Sequence, residues 1–294
     1  MKKLLPVLLT LALLTGCGEG KYTLETTIRA PTGDDVPVSS PVQSISVPAV
    51  VTEGREPTED FDLPAEVVDI RERSEHSSRR DDMPVGKLIE LPEKDVALYG
   101  VGVYPAGGSV AWLRWGDALA EFDWIFGGPR MVMPALWCFD ADNDGQEEVV
   151  AVTCGGSGTG VSIDVLHIVE ENEEGILTDY TFPEKLWGEQ MPNLLDTEII
   201  NNRLYGVLGE ELVDITRQLP EGMLPEEVKG LGTGTFAGFD IETYRNGCGD
   251  ILFCGGACLD ADGYNYWYVA DLTASVAYEN GIFSLSAFHL NSFN

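Results

Sequence analysis

From about Gly86 to the C-terminus the chain is broken into short apolar runs by Gly, Asn-Gly and Asp-Gly. This punctuation limits what it can fold into more than any other feature does. "VALYGVGVY", "SVAWLRW", "LAEFDWIF", "MVMPALWCF", "EVVAVTC" and "VSIDVLHIVE" follow one another at hairpin spacing, and "RLYGVL", "ELVDIT", "FAGFDIETY", "DILFCGG" and "NYWYVADL" continue the series. Runs of this length between turn residues read as strands of antiparallel sheets. The last pair, "ASVAY" and "IFSLSAF", is joined by Glu279-Asn280-Gly281, and Asn-Gly accepts the positive φ angles that a tight hairpin turn needs. Residues 183–195 and 220–231 read as two short helices, the first interrupted by Pro192. The expected fold is mainly β, antiparallel sheets and hairpins, with two short helices giving it minor α+β character. No repeat of fixed period announces a propeller.

The N-terminus is organised differently. "MKKLLPVLLTLALLTGC" opens with Lys2 and Lys3, stays apolar from Leu4 to Leu14 and ends in small residues before Cys17, the layout of an export signal. The apolar run is shorter than the roughly 20 residues a membrane-spanning helix needs. Leu14-Thr15-Gly16-Cys17 resembles the lipobox of bacterial lipoproteins. That resemblance implies a signal peptide over 1–16, cleavage before Cys17 and diacylglycerol on its thiol, so that the protein is held on the outer side of the cell membrane. Residues 18–85 hold seven Pro and fifteen acidic residues but only two aromatics, Tyr22 and Phe61. Such a composition offers little to offset the entropy of ordering. The expected organisation is therefore a lipid anchor and disordered linker over 17–85 and a β-rich domain over 86–294. The short run "VQSISVPAVV" inside the linker could form a strand against a partner.

Charge excludes one class of partner and suggests another. With 18 Lys plus Arg against 49 Asp plus Glu, the net charge is −31. Nucleic acid phosphates would be repelled, whereas a multivalent cation is a natural companion. The acidic residues concentrate in "FDADNDGQEEVV", where Asp140, Asp142 and Asp144 alternate, Gly145 permits a sharp turn, Gln146 offers a backbone carbonyl and Glu148 stands at the ninth position. Alternating carboxylates in a tight loop supply the several hard oxygens that calcium takes at about 2.3 to 2.6 Å. An EF-hand would need a bidentate Glu at position twelve, between helices. That position is Ala151, within an apolar run. As a connection between strands the loop resembles the calcium loops of FG-GAP and VCBS-type β repeats. With "GGSGTGVSIDVLHIVE" after it, it is similar to uncharacterised extracellular lipoproteins of Gram-positive bacteria. The resemblance implies a metal site of Asp140, Asp142, Asp144, Gln146 and Glu148 and names no reaction.

No catalytic motif stands out. "GGSGTG" lacks the Lys of a P-loop and the spacing of G-x-S-x-G. The three His, at 76, 167 and 289, point to no partners. Cys138, Cys154, Cys248, Cys254 and Cys258 contain no C-x-x-C pair, and export leaves one bridge possible among the last three. "YNYWYV" puts Tyr264, Tyr266 and Tyr268 on one face of a strand, where exposed rings could stack on a ligand. The leading expectation is a membrane-anchored, calcium-stabilised binding module for a glycan or protein. The alternative is a secreted glycan- or peptide-directed hydrolase with structural calcium.

Overall fold

The computed structural model describes residues 45–57, 68–69, 85–101, 107–128, 132–183, 185–263 and 267–293. The expected export signal, Cys17 and the expected linker up to residue 44 lie outside them. The described chain is mainly β, with no long helix. Its strands are, in order, β1 (Val47–Pro48), β2 (Val50–Glu53), β3 (Val68–Asp69), β4 (Val85–Leu91), β5 (Val96–Val101), β6 (Gly107–Gly108), β7 (Ala111–Trp115), β8 (Ala118–Phe122), β9 (Phe126–Gly127) and β10 (Ala135–Phe139). They continue with β11 (Glu148–Gly158), β12 (Val161–Glu171), β13 (Leu177–Phe182), β14 (Leu195–Ile200), β15 (Arg203–Leu208), β16 (Glu211–Asp214), β17 (Gly230–Thr243), β18 (Gly249–Asp260), β19 (Tyr268–Glu279) and β20 (Ile282–Ser292).

The helical expectations shrink to single turns. Residues 186–190 form one π turn followed by a 3-10 turn at Met191–Leu194, and Pro225–Glu227 is a 3-10 turn. Pro192 and Pro225 each sit at the start of their turn, where a missing N–H costs nothing. The turn at Asn280-Gly281 is as expected: both residues have positive φ, 56° and 81°, and Glu279 pairs with Ile282 across them.

The largest sheet runs β1-β20-β19-β18-β17-β12-β11-β10, and β13 lies between β12 and β2. Strand β12 pairs with β17 through Ser162 and Ile163 and with β13 from Leu166 onward. Because β1 and β2 are consecutive, the pairings β12-β17-β18-β19-β20-β1 and β2-β13-β12 form a closed circuit. This corrects the boundary at residue 86. Residues 45–57 are not linker: Val47 and Ala49 are buried in the main core, the Ala49 amide donates to the Phe283 carbonyl at 2.9 Å, and Arg55 pairs with Glu121 and Asp123. The partner for "VQSISVPAVV" is this chain's own β20 and β13.

The fold positions the acidic loop through β11. Its Val150 belongs to the main core, while Val149 and Ala151 belong to a second core shared with the five-stranded sheet β3-β4-β5-β7-β8. A strand buried on both faces reads as a continuous apolar run, as "VVAV" does. Glu148 is the first residue of that strand and is drawn inside with it.

Candidate metal centre

The acidic loop is the turn of the β10–β11 hairpin, opened by the pair Phe139 and Glu148. Its local shape follows from its residue types. Asp142 Oδ1 accepts the Asp144 amide at 2.9 Å and Asp144 Oδ1 accepts the Gln146 amide at 2.7 Å, two successive side-chain turns. Asn143 and Gly145 supply the left-handed positions, at φ 66° and 93°. Asp140 Oδ2 accepts the Gly145 amide at 3.1 Å. The loop also leans on a neighbour that the sequence does not announce: the Asp140 amide donates to the Gly247 carbonyl at 3.0 Å, and the Cys248 thiol lies 3.7 Å from Asp140 Oδ2.

The result brings together Asp140, Asp142 and Glu148, each with a carboxylate oxygen within 4.8 Å of the others. Oxygens on opposite sides of a calcium ion stand about 5 Å apart, so the spacing suits such a cation. The donor set is all hard oxygen, the chemistry of calcium or magnesium rather than zinc. Two further observations point to a missing positive charge. Asp140 Oδ1 is buried with no hydrogen-bond partner. Glu148 is only 3 % exposed and accepts one amide, from Ala141, at 2.6 Å. Burial, followed by the charges of Asp142, Glu170 and Asp140, pushes its carboxyl up to about 8 despite that amide. Burial raises the Asp142 carboxyl as well, with Asp144 and Asp140 adding to it against the Asp144 amide. The triad could hold a metal ion.

Asp144, the other predicted carboxylate ligand, stands outside this group. Asp144 is exposed and turned to Gln146, whose side-chain amide donates to its Oδ2 at 3.0 Å. Glu147 binds Lys94, with Nζ 2.7 Å from Oε2. Beside the triad lies a cleft of about 450 Å³ whose walls include Trp115, Glu170, Glu171 and Tyr278. Glu170 is held by the Tyr180 hydroxyl at 2.9 Å, and burial raises its carboxyl.

His167, for which the sequence offered no partners, has several. Its Nδ1 is 3.1 Å from Asp179 Oδ2, its Nε2 is 3.3 Å from Thr153 Oγ1, and Trp124 stacks on its ring at 4.0 Å. Hydroxyl, imidazole and carboxylate are thus in line, as in a nucleophilic triad. Thr153, His167 and Asp179 are 1 %, 2 % and 1 % exposed, so a substrate has no access and the network is part of the core. All five cysteines from Cys138 to Cys258 are free thiols. Burial pushes Cys138 up to about 12 and Cys254 up to about 11, which keeps both protonated. Of the proposed stacking residues, Tyr264 and Tyr266 lie outside the described residues, while Tyr268 lines a separate cleft of about 470 Å³. The turn at Asp262-Gly263 is a turn, with Gly263 at φ 83°.

No protein-family model matches the chain, and no curated protein or solved structure matches it. The likeness of the loop to FG-GAP and VCBS-type calcium loops rests on the loop's own residues.

Proposed function

We propose that the chain is an extracytoplasmic lipoprotein, anchored through Cys17, whose β domain is a binding module stabilised by calcium. Support for the anchor is the "LTGC" box at the end of a short apolar run. Among the described residues, no helix is long and apolar enough to cross a membrane. Two acyl chains on a cysteine hold a protein stably at a bilayer. The observation that carries the calcium reading is the triad of Asp140, Asp142 and buried Glu148, for which no cationic side chain among the described residues is a recorded contact. Calcium there neutralises the convergent charge and ties the β10 end to the β11 start, beneath which both cores meet.

The test is thermal unfolding of the full chain in calcium and in a chelator, alongside Asp142→Ala. A site half-saturated near 10 μM gains about 2.7 kcal/mol in roughly millimolar calcium. For a domain this size that corresponds to about 5–10 °C. Equal melting in all conditions removes the site. For the anchor, Cys17→Ser is expected to release the protein from membranes, and continued membrane association contradicts lipidation.

A hydrolase with structural calcium is the second reading, favoured by Glu170 and Glu171 beside rings in the cleft next to the triad. Release of new reducing ends or amines from glycans or peptides, lost in Glu171→Gln, would select it over the binding module.

A further inference from the structure

A second cleft, away from the acidic loop, is built from glycines and rings. Its floor is Gly255 and Gly256 of β18, and its walls carry Phe236, Tyr268, Phe293 and Asp271. The volume, about 470 Å³, is that of an ordinary small-molecule site. Its parts are fixed before any ligand arrives. A Cβ at Gly256 would stand 2.3 Å from the Tyr268 ring, and one at Gly234 would stand 2.2 Å from it. The ring therefore lies directly on the backbone, a position that only glycine beneath it allows. Phe293 is held through its carbonyl by Gln218 Nε2 at 2.9 Å, and Gln218 in turn accepts the Trp267 indole N–H at 2.7 Å. Phe236 and Phe293 are 54 % and 39 % exposed, which is a cost for large apolar side chains unless something covers them.

The polar chemistry of the cleft is one-sided. Asp271 pairs across the ladder with Gly256, and it is the one charged side chain among the described residues lining the cleft. Among the described residues its carboxylate has no hydrogen-bond or ion-pair partner. Asp271 itself is exposed, and partial desolvation raises its carboxyl. Aromatic rings with their negative faces, plus one unpaired carboxylate, attract a cation that is itself weakly hydrated and apolar at its surface. Inorganic cations do not meet that description, because they keep their water and prefer carboxylate clusters such as the acidic loop.

We propose that this cleft binds a methylated ammonium group, the cationic end of a small organic amine, among the rings of Phe236, Tyr268 and Phe293 with Asp271 as counter-ion. The inference rests on the binding-module reading and gives that module its ligand class. The Tyr268 hydroxyl is buried with no partner, so the ring serves through its surface rather than through a hydrogen bond.

The experiment is calorimetric titration of the full chain, in a non-ionic detergent at physiological salt, with choline and with its neutral isostere 3,3-dimethylbutan-1-ol. Choline is expected to bind about tenfold or more tighter than the isostere, a preference lost in Asp271→Asn. Phe236→Ala is expected to weaken choline binding, while Tyr268→Phe retains it. Each variant is first melted with and without calcium to show that it folds. Equal affinity for choline and the isostere, no choline binding across the millimolar range, or an unchanged preference in Asp271→Asn overturns the proposal. If calcium still raises the melting temperature in that case, the metal site survives and only the ligand class falls.

Discussion

Two buried carboxylates of the same sheet, Glu148 at the start of β11 and Asp179 on β13, have opposite surroundings. Asp179 Oδ2 takes hydrogen bonds from the Trp124 indole at 2.6 Å and the Thr181 hydroxyl at 2.5 Å, and His167 Nδ1 lies 3.1 Å away, while its Oδ1, like Asp140 Oδ1, is buried without a partner among the described residues. Glu148 receives one amide, and its other close neighbours are acids. Burial is the same for both and so cannot separate them. What separates them is where the compensating positive charge comes from: for Asp179 the protein supplies donors, for Glu148 it supplies more negative charge. A buried acid ringed by donors can keep its charge without help, whereas one ringed by acids is neutralised either by a proton or by a cation.

The sharpest way to break this contrast is to remove Asp179. Asp179→Ala strands the Trp124 N–H and the His167 ring in the core, and is expected to cost about 3–5 kcal/mol, read by denaturant unfolding. The loss should be the same with calcium and with a chelator. Glu148→Gln should behave in the opposite manner: in chelator its stability is unchanged or higher by about 1 kcal/mol, because an uncompensated acid is gone. In millimolar calcium it should forgo the gain of about 2.7 kcal/mol seen in the parent. A calcium-sensitive Asp179→Ala, or a Glu148→Gln that loses as much in chelator as in calcium, would show that the two acids are of one kind.

A third acid refines the comparison. Glu121 is 2 % exposed and is met by the Arg55 Nε at 2.9 Å and the Trp112 indole at 2.9 Å, an intermediate case with an internal cation. Arg55→Ala removes that cation and is expected to cost about 2 kcal/mol, discounted from a fully buried pair because Arg55 is half-exposed. The smallest effect concerns pH. Arg55 holds the Asp123 carboxyl below its ordinary value, chiefly through their hydrogen bonds. A depressed folded value means stability that is present above about pH 4 and is lost as pH falls through the folded value. In Arg55→Ala the acid limb of the stability curve should therefore be flatter, as measured by melting between about pH 5 and pH 2.

Much of the fold was legible because strand punctuation is local. Gly and Asn-Gly between short apolar runs announced the hairpins, and the turn at Asn280-Gly281 needed nothing beyond its own two residues. The acidic loop was legible for the same reason, but only in part. Alternation placed Asp140 and Asp142 with Glu148, yet it could not say that Asp144 would turn outward to Gln146 or that Cys248 would lie against Asp140. Residues 45–57 were missed because β1 and β2 are two and four residues long, set among prolines and acids. Their stability comes from β20 and β13, far away in sequence. The same holds for His167, whose partners Trp124, Thr153 and Asp179 come from separate segments.

The central claim is that Asp140, Asp142 and Glu148 share a cation that the chain itself does not provide. Equilibrium dialysis against calcium, with the bound metal counted by atomic emission, tests it most directly. The account predicts a single saturable calcium ion per chain that disappears in Asp142→Ala and in Glu148→Gln. Retention of the same bound calcium in both variants, or none bound by the parent at millimolar concentration, would contradict it.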